Sequence, residues 1–438
     1  MSVMGSAKHT DGVPPVFETS RLRLRPWRDT DGPGPGEGPD ADSLRFMPAG
    51  AQPGPDDFPT WLAKRRRDMD AGGELHWCIA DRATDAVTSN SMFGNVQIFR
   101  MGPPEGRFQG ELGYWLRPGS RGRRIVGEAI EAVAAYAFRT VADSGLGLVR
   151  LHAATDSDNY ASQAILRSAG FRQCGADHKA WRRTDGSLSD GLYFELLADE
   201  PEPADGGLAG SLASGLVSGL ASGLAMSQTG SQAGSQAGSR APGFEPVTLE
   251  GKGIRLRKWA HTDADRIVEA CSDERSRHWL ADSLPSPYTL EHAHSYIAGM
   301  SEEARNRRGL GWCVADAEND VCLGAITVLN LRDALGTAGE IGYWTHPDAR
   351  GRGVMSEAVR LAVRHAFIPR EDGGLGRIRL RLNAANGNLA SQQIARTTGF
   401  VEVGRDRLAE PLGDGTFADL VRFDLLVDEW NAAAAEDG

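Results

Sequence analysis

The feature that most constrains this chain is an internal duplication. Glu111-Leu-Gly-Tyr-Trp115 recurs as Glu340-Ile-Gly-Tyr-Trp344, and the Asn159-Tyr-Ala-Ser-Gln motif recurs at Asn388 with the same spacing of 229 residues. Residues 111–131 and 159–171 share 18 identities in 34 positions with their counterparts. This period is far longer than that of a solenoid repeat, so the 438 residues contain two copies of one domain.

A break in composition separates the two copies. Residues 200–243 are rich in Gly, Ser and Ala and repeat a four-residue pattern, LASG-LVSG-LASG and then QTGS-QAGS-QAGS. Such a segment buries too little apolar surface to fix its backbone, so it is typical of a flexible linker. The uncharged stretch 208–226 has glycines spaced by four, which leaves a membrane-spanning or self-associating helix open as an alternative.

The domain limits follow from this break. We expect a disordered N-terminus at 1–15, an N-terminal domain at 16–199, the linker at 200–243, a C-terminal domain at 244–431 and a tail at 432–438. The two domains either pair with each other or move independently on the linker, and the sequence leaves both arrangements open.

Strand and helix patterns alternate within each copy. Period-two patterns predict strands, and apolar residues at helical spacing predict helices. In the second copy the strands are predicted at 254–259, 312–315, 321–329, 339–344, 378–382, 400–403 and 417–426, and the helices at 262–272, 289–307, 355–367 and 389–398. Thr262 is the expected cap of the first of these helices. An antiparallel start followed by a strand–loop–helix crossover predicts an α+β fold with a mixed sheet.

A turn rich in Gly and Arg lies between a strand and a helix in each copy. In the second copy it reads Arg350-Gly-Arg-Gly-Val-Met-Ser356. Glycines let a backbone approach a ligand closely, and the first N–H groups of a helix bind phosphate. Arg350 and Arg352 add charged donors. By residue type alone, the turn is also compatible with an ordinary solvated loop.

The order of the motifs resembles the GNAT superfamily of N-acetyltransferases, and within it the RimJ/RimL branch that acetylates protein N-termini. The resemblance rests on the strand, the Arg-Gly-Arg-Gly turn, the helix, the later N-x-x-S motif and the Gly-Phe that follows, and it covers nearly all of 15–199 and 244–430. It implies an acyl-CoA N-acyltransferase fold in both copies, acetyl-CoA as co-substrate and no metal. The family's Q/R-x-x-G-x-G/A motif is matched by Arg350 and Gly353, whereas Met355 replaces a small residue.

The resemblance also implies roles for individual residues. The turn's amides would hold the CoA pyrophosphate, and the preceding strand would hold the pantetheine arm. The implied acetyl-CoA-binding residues are Ile341, Tyr343, Arg350, Gly351, Arg352, Gly353, Val354, Met355, Ser356 and Asn388. Ser391 would lie near the sulfur as a catalytic residue and stabilise the leaving thiolate. On spacing alone, Asn388 and Ser391 are typical of a helix cap.

Acetylation of an amine needs a base, because an ammonium group has no lone pair. Glu340 is the candidate base. The alternative is that Glu340 holds the Arg350 turn by a salt bridge. Tyr343 and Trp344 either line the acyl channel or belong to the core, and we expect at least one of them to be a core residue.

The first copy differs at the turn, where Arg124 occupies the place of Gly353. If that position has a positive φ, a side chain there costs about 1–2 kcal/mol. Alternatively, Arg124 provides another phosphate contact. The first-copy counterparts of the candidate residues are Glu111, Arg121, Gly122, Arg123, Arg124, Asn159 and Ser162. We therefore expect the second copy to be the main catalyst and the first to be weakened.

These features predict direct transfer of an acetyl group from acetyl-CoA to a primary amine, on a protein N-terminus or a small molecule. Two alternatives remain: a catalytically silent, CoA-responsive regulatory protein and an acetyltransferase of aminoglycoside-type antibiotics. The net charge of -11 argues against nucleic-acid and anionic-membrane partners. Five scattered cysteines and an N-terminus without an apolar segment favour a cytoplasmic protein.

Overall fold

The computed structural model describes residues 13–34, 37–48, 50–85, 92–101, 107–183, 186–198, 243–280, 284–332 and 336–436. The chain separates into two compact units that divide near residue 218. Apart from Gly243, the predicted linker at 200–243 lies outside the described residues, as does the alternative helix at 208–226. Within the described part of the chain, no helix is long and apolar enough to cross a membrane.

The first unit contains eight strands and four helices within its described residues. The strands are β1 Phe17–Glu18, β2 Leu22–Arg25, β3 Leu75–Asp81, β4 Met92–Phe99, β5 Gln109–Leu116, β6 Arg150–Asp156, β7 Arg172–Arg182 and β8 Leu188–Leu197. The helices are α1 Ala41–Phe46, α2 Phe58–Asp70, α3 Ile125–Phe138 and α4 Tyr160–Ser168.

The second unit repeats this order, with two additional helices among its described residues. The strands are β9 Leu249–Glu250, β10 Ile254–Arg257, β11 Leu310–Asp316, β12 Cys322–Leu329, β13 Ala338–Thr345, β14 Arg379–Ala385, β15 Val401–Pro411 and β16 Phe417–Leu426. The helices are α5 Ala264–Ser272, α6 Glu274–Leu280, α7 Leu290–Arg305, α8 Val354–Phe367, α9 Leu389–Thr397 and α10 Val427–Glu436.

Each unit forms a mixed sheet, which confirms the α+β prediction. The strand order is β1-β2-β3-β4-β5-β6-β8-β7 in the first unit and β9-β10-β11-β12-β13-β14-β16-β15 in the second. In the second unit β13 and β14 are parallel, while the other neighbouring strands pair in antiparallel fashion. Helix α8 makes the crossover between β13 and β14, and its apolar face is buried in the core through Ala358, Val359, Ala362 and Val363.

The parallel pair opens into a wedge. Strands β13 and β14 pair only where residues 338–340 face residues 379–381. Beyond this point β13 continues along β12 to Thr345, and β14 continues along β16 to Ala385. The facing edges 341–345 and 382–385 therefore form no ladder with each other, and we call this gap the wedge. The first unit has the same arrangement, because β5 and β6 pair only from Gln109 to Glu111.

Three local features differ from the sequence-based expectations. The helix expected at 262–272 begins at Ala264, because His261–Asp263 form a 3-10 turn in which the Asp263 carboxylate accepts from the Ala260 N–H and pairs with Arg257. The expected cap by Thr262 is therefore wrong. Helix α6 is too short to show a helical period in the sequence. Helix α10 continues past residue 431, and Trp430 on it packs against Phe367.

Candidate active site

The Gly/Arg turn of the second copy presents an open helix N-terminus. Gly351 and Gly353 have φ values of 72° and 74°, in the left-handed region where a side chain is strained. Gly353 is the N-cap of α8 and has no side chain to cap the helix, and no side chain of the described residues bonds to the first N–H groups of α8. A Cβ placed on either glycine would meet no atom within 4 Å. These amides are thus available to a bound anion.

The residues that follow the turn contribute backbone rather than side chains. Val354 and Met355 are both buried in the core. The Met355 Cε lies 3.2 Å from where a Cβ on Gly324 would be, so the large side chain is accommodated beside a glycine of β12. Its departure from the family motif therefore leaves the surface of the turn unobstructed.

Arg350 has a different contact from the expected one. Its Nη2 donates to Asp273 Oδ2 at 2.5 Å and to Ser276 Oγ at 2.8 Å, which ties the turn to the start of α6. Both contacts use the same guanidinium nitrogen, so Arg350 has a structural role in the turn, while its expected contact with a phosphate stays a prediction. Arg352 is exposed and lies 3.8 Å from Asp316, so it keeps donors for a phosphate.

Glu340 lies at the closed end of the wedge, in the last pair of residues that joins β13 to β14. Its carboxylate accepts from Asn330 Nδ2 at 3.0 Å and from Asn383 Nδ2 at 3.2 Å. The alternative in which Glu340 forms a salt bridge with Arg350 is wrong, since Arg350 pairs with Asp273. Both donors are neutral amides, and no cationic side chain of the described residues forms an ion pair with Glu340.

Glu410 is a candidate site residue that the sequence analysis missed. It is the tenth residue of β15 and is only partly exposed. Burial and, to a lesser extent, the charge of Glu340 raise the pKa of Glu410 to about 7. A carboxyl group with this pKa exchanges protons near neutral pH. Alignment of the two copies contained a signal for Glu410. Its counterpart, the tenth residue of β7, is Trp181, so a carboxylate occurs at this position in only one copy.

Asn388 and Ser391 are brought together as the spacing predicts. Asn388 is the N-cap of α9, and its Oδ1 accepts from the Ser391 N–H at 3.2 Å. The helix-cap interpretation is confirmed. The Ser391 hydroxyl lies 2.8 Å from the Tyr343 hydroxyl, so strand β13 and helix α9 are joined by this contact.

The aromatic pair on β13 divides as expected. Trp344 packs against Trp259, with ring centroids 6.3 Å apart, in the cluster beneath α5 and α7. Tyr343 instead points to α9 and meets the core only partly. The side chain of Ile341 is buried, so this residue offers only its backbone to the wedge.

The first copy keeps the contacts among the tyrosine, the serine and the asparagine, but the surroundings of its glutamate differ. Tyr114 and Ser162 are 2.7 Å apart, and Asn159 Oδ1 accepts from the Ser162 N–H at 3.1 Å. Glu111, however, is held by Arg100 at 2.6 Å and lies 3.4 Å from His152. Burial alone would raise the pKa of Glu111, but His152 and Arg100 together hold it below its usual value.

The first-copy turn resembles that of the second in backbone but not in side chains. Arg124 is the N-cap of α3 and has a φ of 58°. It therefore has the same left-handed backbone conformation as Gly353, but with a side chain. Gly122 also has a positive φ, of 74°. Arg121 donates two hydrogen bonds to Asp40, whereas Arg350 donates one to Asp273. Arg123 lies over the Phe93 ring at 5.0 Å.

Comparison with known proteins assigns this geometry to a family. The family model described as "Acetyltransferase (GNAT) domain" matches residues 21–172 and again residues 254–401, which together are more than half of the chain. The chain belongs to the GNAT acetyltransferase family. It is therefore an acyl-CoA-dependent N-acetyltransferase with two GNAT domains, and the resemblance to the RimJ/RimL branch is confirmed.

Individual relatives each match about one GNAT domain. YdaF of Bacillus subtilis (strain 168), to which a ribosomal N-acetyltransferase activity is ascribed, is 35% identical over 40% of this chain and 93% of its own length. The ribosomal-protein-serine acetyltransferase of Escherichia coli (strain K12) is 26% identical over 32% of this chain and 75% of its own length. A solved structure of RimL, a ribosomal L7/L12 alpha-N-protein acetyltransferase in complex with coenzyme A, is 19% identical with a TM-score of 0.36, covering 42% of this chain and 99% of that one.

Proposed function

We propose that the C-terminal GNAT domain, residues 244–431, transfers the acetyl group of acetyl-CoA to a primary amine by direct attack. The observation that carries this proposal is the combination of Glu340 at the closed end of the wedge with Glu410, whose pKa is raised to about 7. A base with a pKa near neutrality suits the deprotonation of an ammonium group.

The residues of the second copy fit acetyl-CoA. The uncapped N-terminus of α8, together with Gly351, Gly353 and the exposed Arg352, suits a pyrophosphate. The unpaired edge 341–345 has backbone groups that can bond to the amides of a pantetheine arm. The side-chain amide of Asn388 keeps its Nδ2 donor for the same arm, because only Oδ1 is used in the cap. When bound, acetyl-CoA supplies an acetyl group activated as a thioester.

The chain's own residues act separately on the acceptor amine and on the departing sulfur. Glu410 removes the proton of the acceptor ammonium, and burial together with the negative charge of Glu340 keeps Glu410 basic enough to do so. Ser391 donates a hydrogen bond to the departing sulfur from the other side. This assignment moves the base from Glu340, our expectation from the sequence, to Glu410.

We propose a peptide N-terminus as the acceptor. The support is that relatives of this chain are named as acetyltransferases of ribosomal proteins. Two carboxylates in the second domain also suit a cationic amine. A small polyamine, such as an aminoglycoside, would meet the same carboxylates and is the acceptor class to compare against.

We propose that the N-terminal GNAT domain binds CoA without turnover. It keeps the wedge and the Tyr114–Ser162 contact, which face the thiol side. It has Trp181 where the second domain has Glu410, and its Glu111 forms an ion pair with Arg100. Such a domain is suited to sensing CoA rather than to acetylation.

The test measures the release of CoA thiol when the full-length protein is given acetyl-CoA and peptides with free N-termini. Aminoglycosides are tested as alternative acceptors, and N-acetylated peptides serve as the blocked control. Turnover with free peptides and none with blocked ones supports the proposal. Calorimetric titration with acetyl-CoA, on the native protein and on Gly353→Arg, counts the sites. Binding without thiol release from any amine would contradict the catalytic proposal and leave a CoA-responsive regulatory protein.

A further inference from the structure

The contact between Tyr343 and Ser391 connects the two sides of the wedge. Tyr343 is on β13 and Ser391 is on α9, so the residues come from elements on opposite sides of the gap. Their hydroxyl oxygens are 2.8 Å apart, which is a good hydrogen-bond distance. The Tyr343 hydroxyl is also 3.3 Å from the Ser391 carbonyl oxygen.

At this distance either hydroxyl can be the donor of the hydrogen bond. Burial raises the pKa of Tyr343 to about 12, although the bond with Ser391 opposes the shift, so the phenol keeps its proton at any physiological pH. Both acceptors for that proton in the described structure belong to Ser391, and the hydroxyl oxygen is the closer one. When Tyr343 donates to Ser391 Oγ, the Ser391 proton has to point elsewhere.

We propose that Tyr343 is a positioning residue that directs the Ser391 hydroxyl proton toward the sulfur that leaves from acetyl-CoA. This inference rests on the proposed function of the second domain. As the acetyl carbon–sulfur bond breaks, its electron pair passes to the sulfur, and Ser391 donates a hydrogen bond to it. Neither hydroxyl gives up its proton, because a thiol near pKa 8.5 is a far stronger acid than serine or a buried tyrosine. The thiolate leaves, and the second proton that the acceptor nitrogen loses as the amide forms passes to solvent, from which the thiolate is protonated.

The first copy provides a matched pair. Tyr114 and Ser162 make the same contact at 2.7 Å, and burial likewise raises the pKa of Tyr114 to about 12. The arrangement is thus present in the domain that lacks Glu410, as expected if it acts on the thiol of bound CoA and not on the amine. The two copies can therefore be perturbed separately in one chain.

The direct test is the acidity of the CoA thiol in the binary complex, which requires no turnover. The ultraviolet absorbance of the thiolate is followed against pH for CoA bound to the full-length protein and to Tyr343→Phe, Ser391→Ala and the double variant. A hydrogen bond to the thiolate lowers the thiol pKa, so each single variant should raise it by about one unit for the second-domain site. The double variant should equal either single one. Tyr114→Phe should change only the first-domain titration.

Kinetics give the second readout. Tyr343→Phe should lower kcat by roughly tenfold with little change in the KM for acetyl-CoA, and it should add nothing to Ser391→Ala. Unchanged thiol acidity, or losses that multiply in the double variant, would overturn the inference. If Tyr343→Phe fails to fold, Tyr114→Phe tests the same positioning role in the first domain, where the Tyr114–Ser162 contact is alike. Absence of turnover in the native protein would refute the proposed function, but the titration with CoA would still test this inference.

Discussion

Glu111 and Glu340 occupy the same place in the two domains and have different surroundings. Glu111 lies between Arg100 and His152, whereas Glu340 lies between the amides of Asn330 and Asn383. Arg100 and Asn330 are themselves counterparts, since each follows the strand residue that pairs with the glutamate and each has a positive φ. One substitution thus replaces a neutral donor by a cation.

In the proposed assignment of a thiol side and an amine side, the difference teaches that the two sides of the site have diverged independently. The hydroxyl pair and the helix cap on the thiol side are the same in both domains to within about 0.1 Å. On the amine side, the first domain has lost the second carboxylate and neutralised the remaining one. A protein can in this way retain a ligand site while it loses the proton transfer that makes the site catalytic.

The largest expected effect is that of Glu410→Gln. Removal of a general base typically costs 100-fold or more, so kcat/KM should fall by roughly that factor. Trp181→Phe, at the matching position of the first domain, should leave turnover unchanged. Steady-state thiol release measures both. Equal losses for the two variants would break the comparison, because both domains would then contribute to catalysis.

Glu340→Gln should move the pH profile. Glu410 acts only when deprotonated, so with a pKa of about 7 the rate is lost as the pH falls through neutrality. The charge of Glu340 contributes to that raised pKa, and its removal should shift the acid limb to lower pH by about one unit. A loss of rate as large as that of Glu410→Gln, with an unshifted limb, would instead make Glu340 the base.

Exchange of the two N-cap residues should alter stability by smaller amounts. Both positions are left-handed, so Gly353→Arg should destabilise the second domain by about 1 kcal/mol, and Arg124→Gly should relieve part of that strain in the first. Thermal unfolding of both variants measures this. Gly353→Arg should also weaken acetyl-CoA binding, because its side chain extends over the free amides of α8. An unchanged affinity would mean that Arg124 does not impair the first domain.

The smallest expected effect concerns the link between Arg350 and Asp273. Burial acts to raise the pKa of Asp273, but the hydrogen bonds from Arg350 and Ser276 and the charge of Arg350 together outweigh it and lower the pKa. This carboxylate therefore stabilises the fold above its unfolded pKa, and the contribution is lost as the pH falls through the folded value. Asp273→Asn should cost less than about 1 kcal/mol near neutral pH and nothing in acid. Asp40→Asn tests the same link in the first domain, and a cost that persists in acid would refute the electrostatic origin.

Much of the fold could be read from the sequence because its signals are local or repeated. The spacing of apolar residues located α8 to within one residue, and the duplication established that one fold occurs twice. The short helix α6 lacked such a signal. Its place depends on contacts with distant residues, for example the Gly413 N–H that donates to the His278 carbonyl at 2.9 Å.

The site was predictable only where it consists of a contiguous motif. The sequence by itself determined the GNAT turn with Gly351 and Gly353, the cap formed by Asn388 on Ser391, and the candidate carboxylate Glu340. Only the tertiary structure decided that Arg350 binds Asp273, that Tyr343 contacts Ser391, and that burial and the charge of Glu340 raise the pKa of Glu410. The physical reason is that turn conformation and helix capping depend on neighbours in the chain, whereas ion pairing and pKa depend on charges and burial that distant segments supply when they pack together.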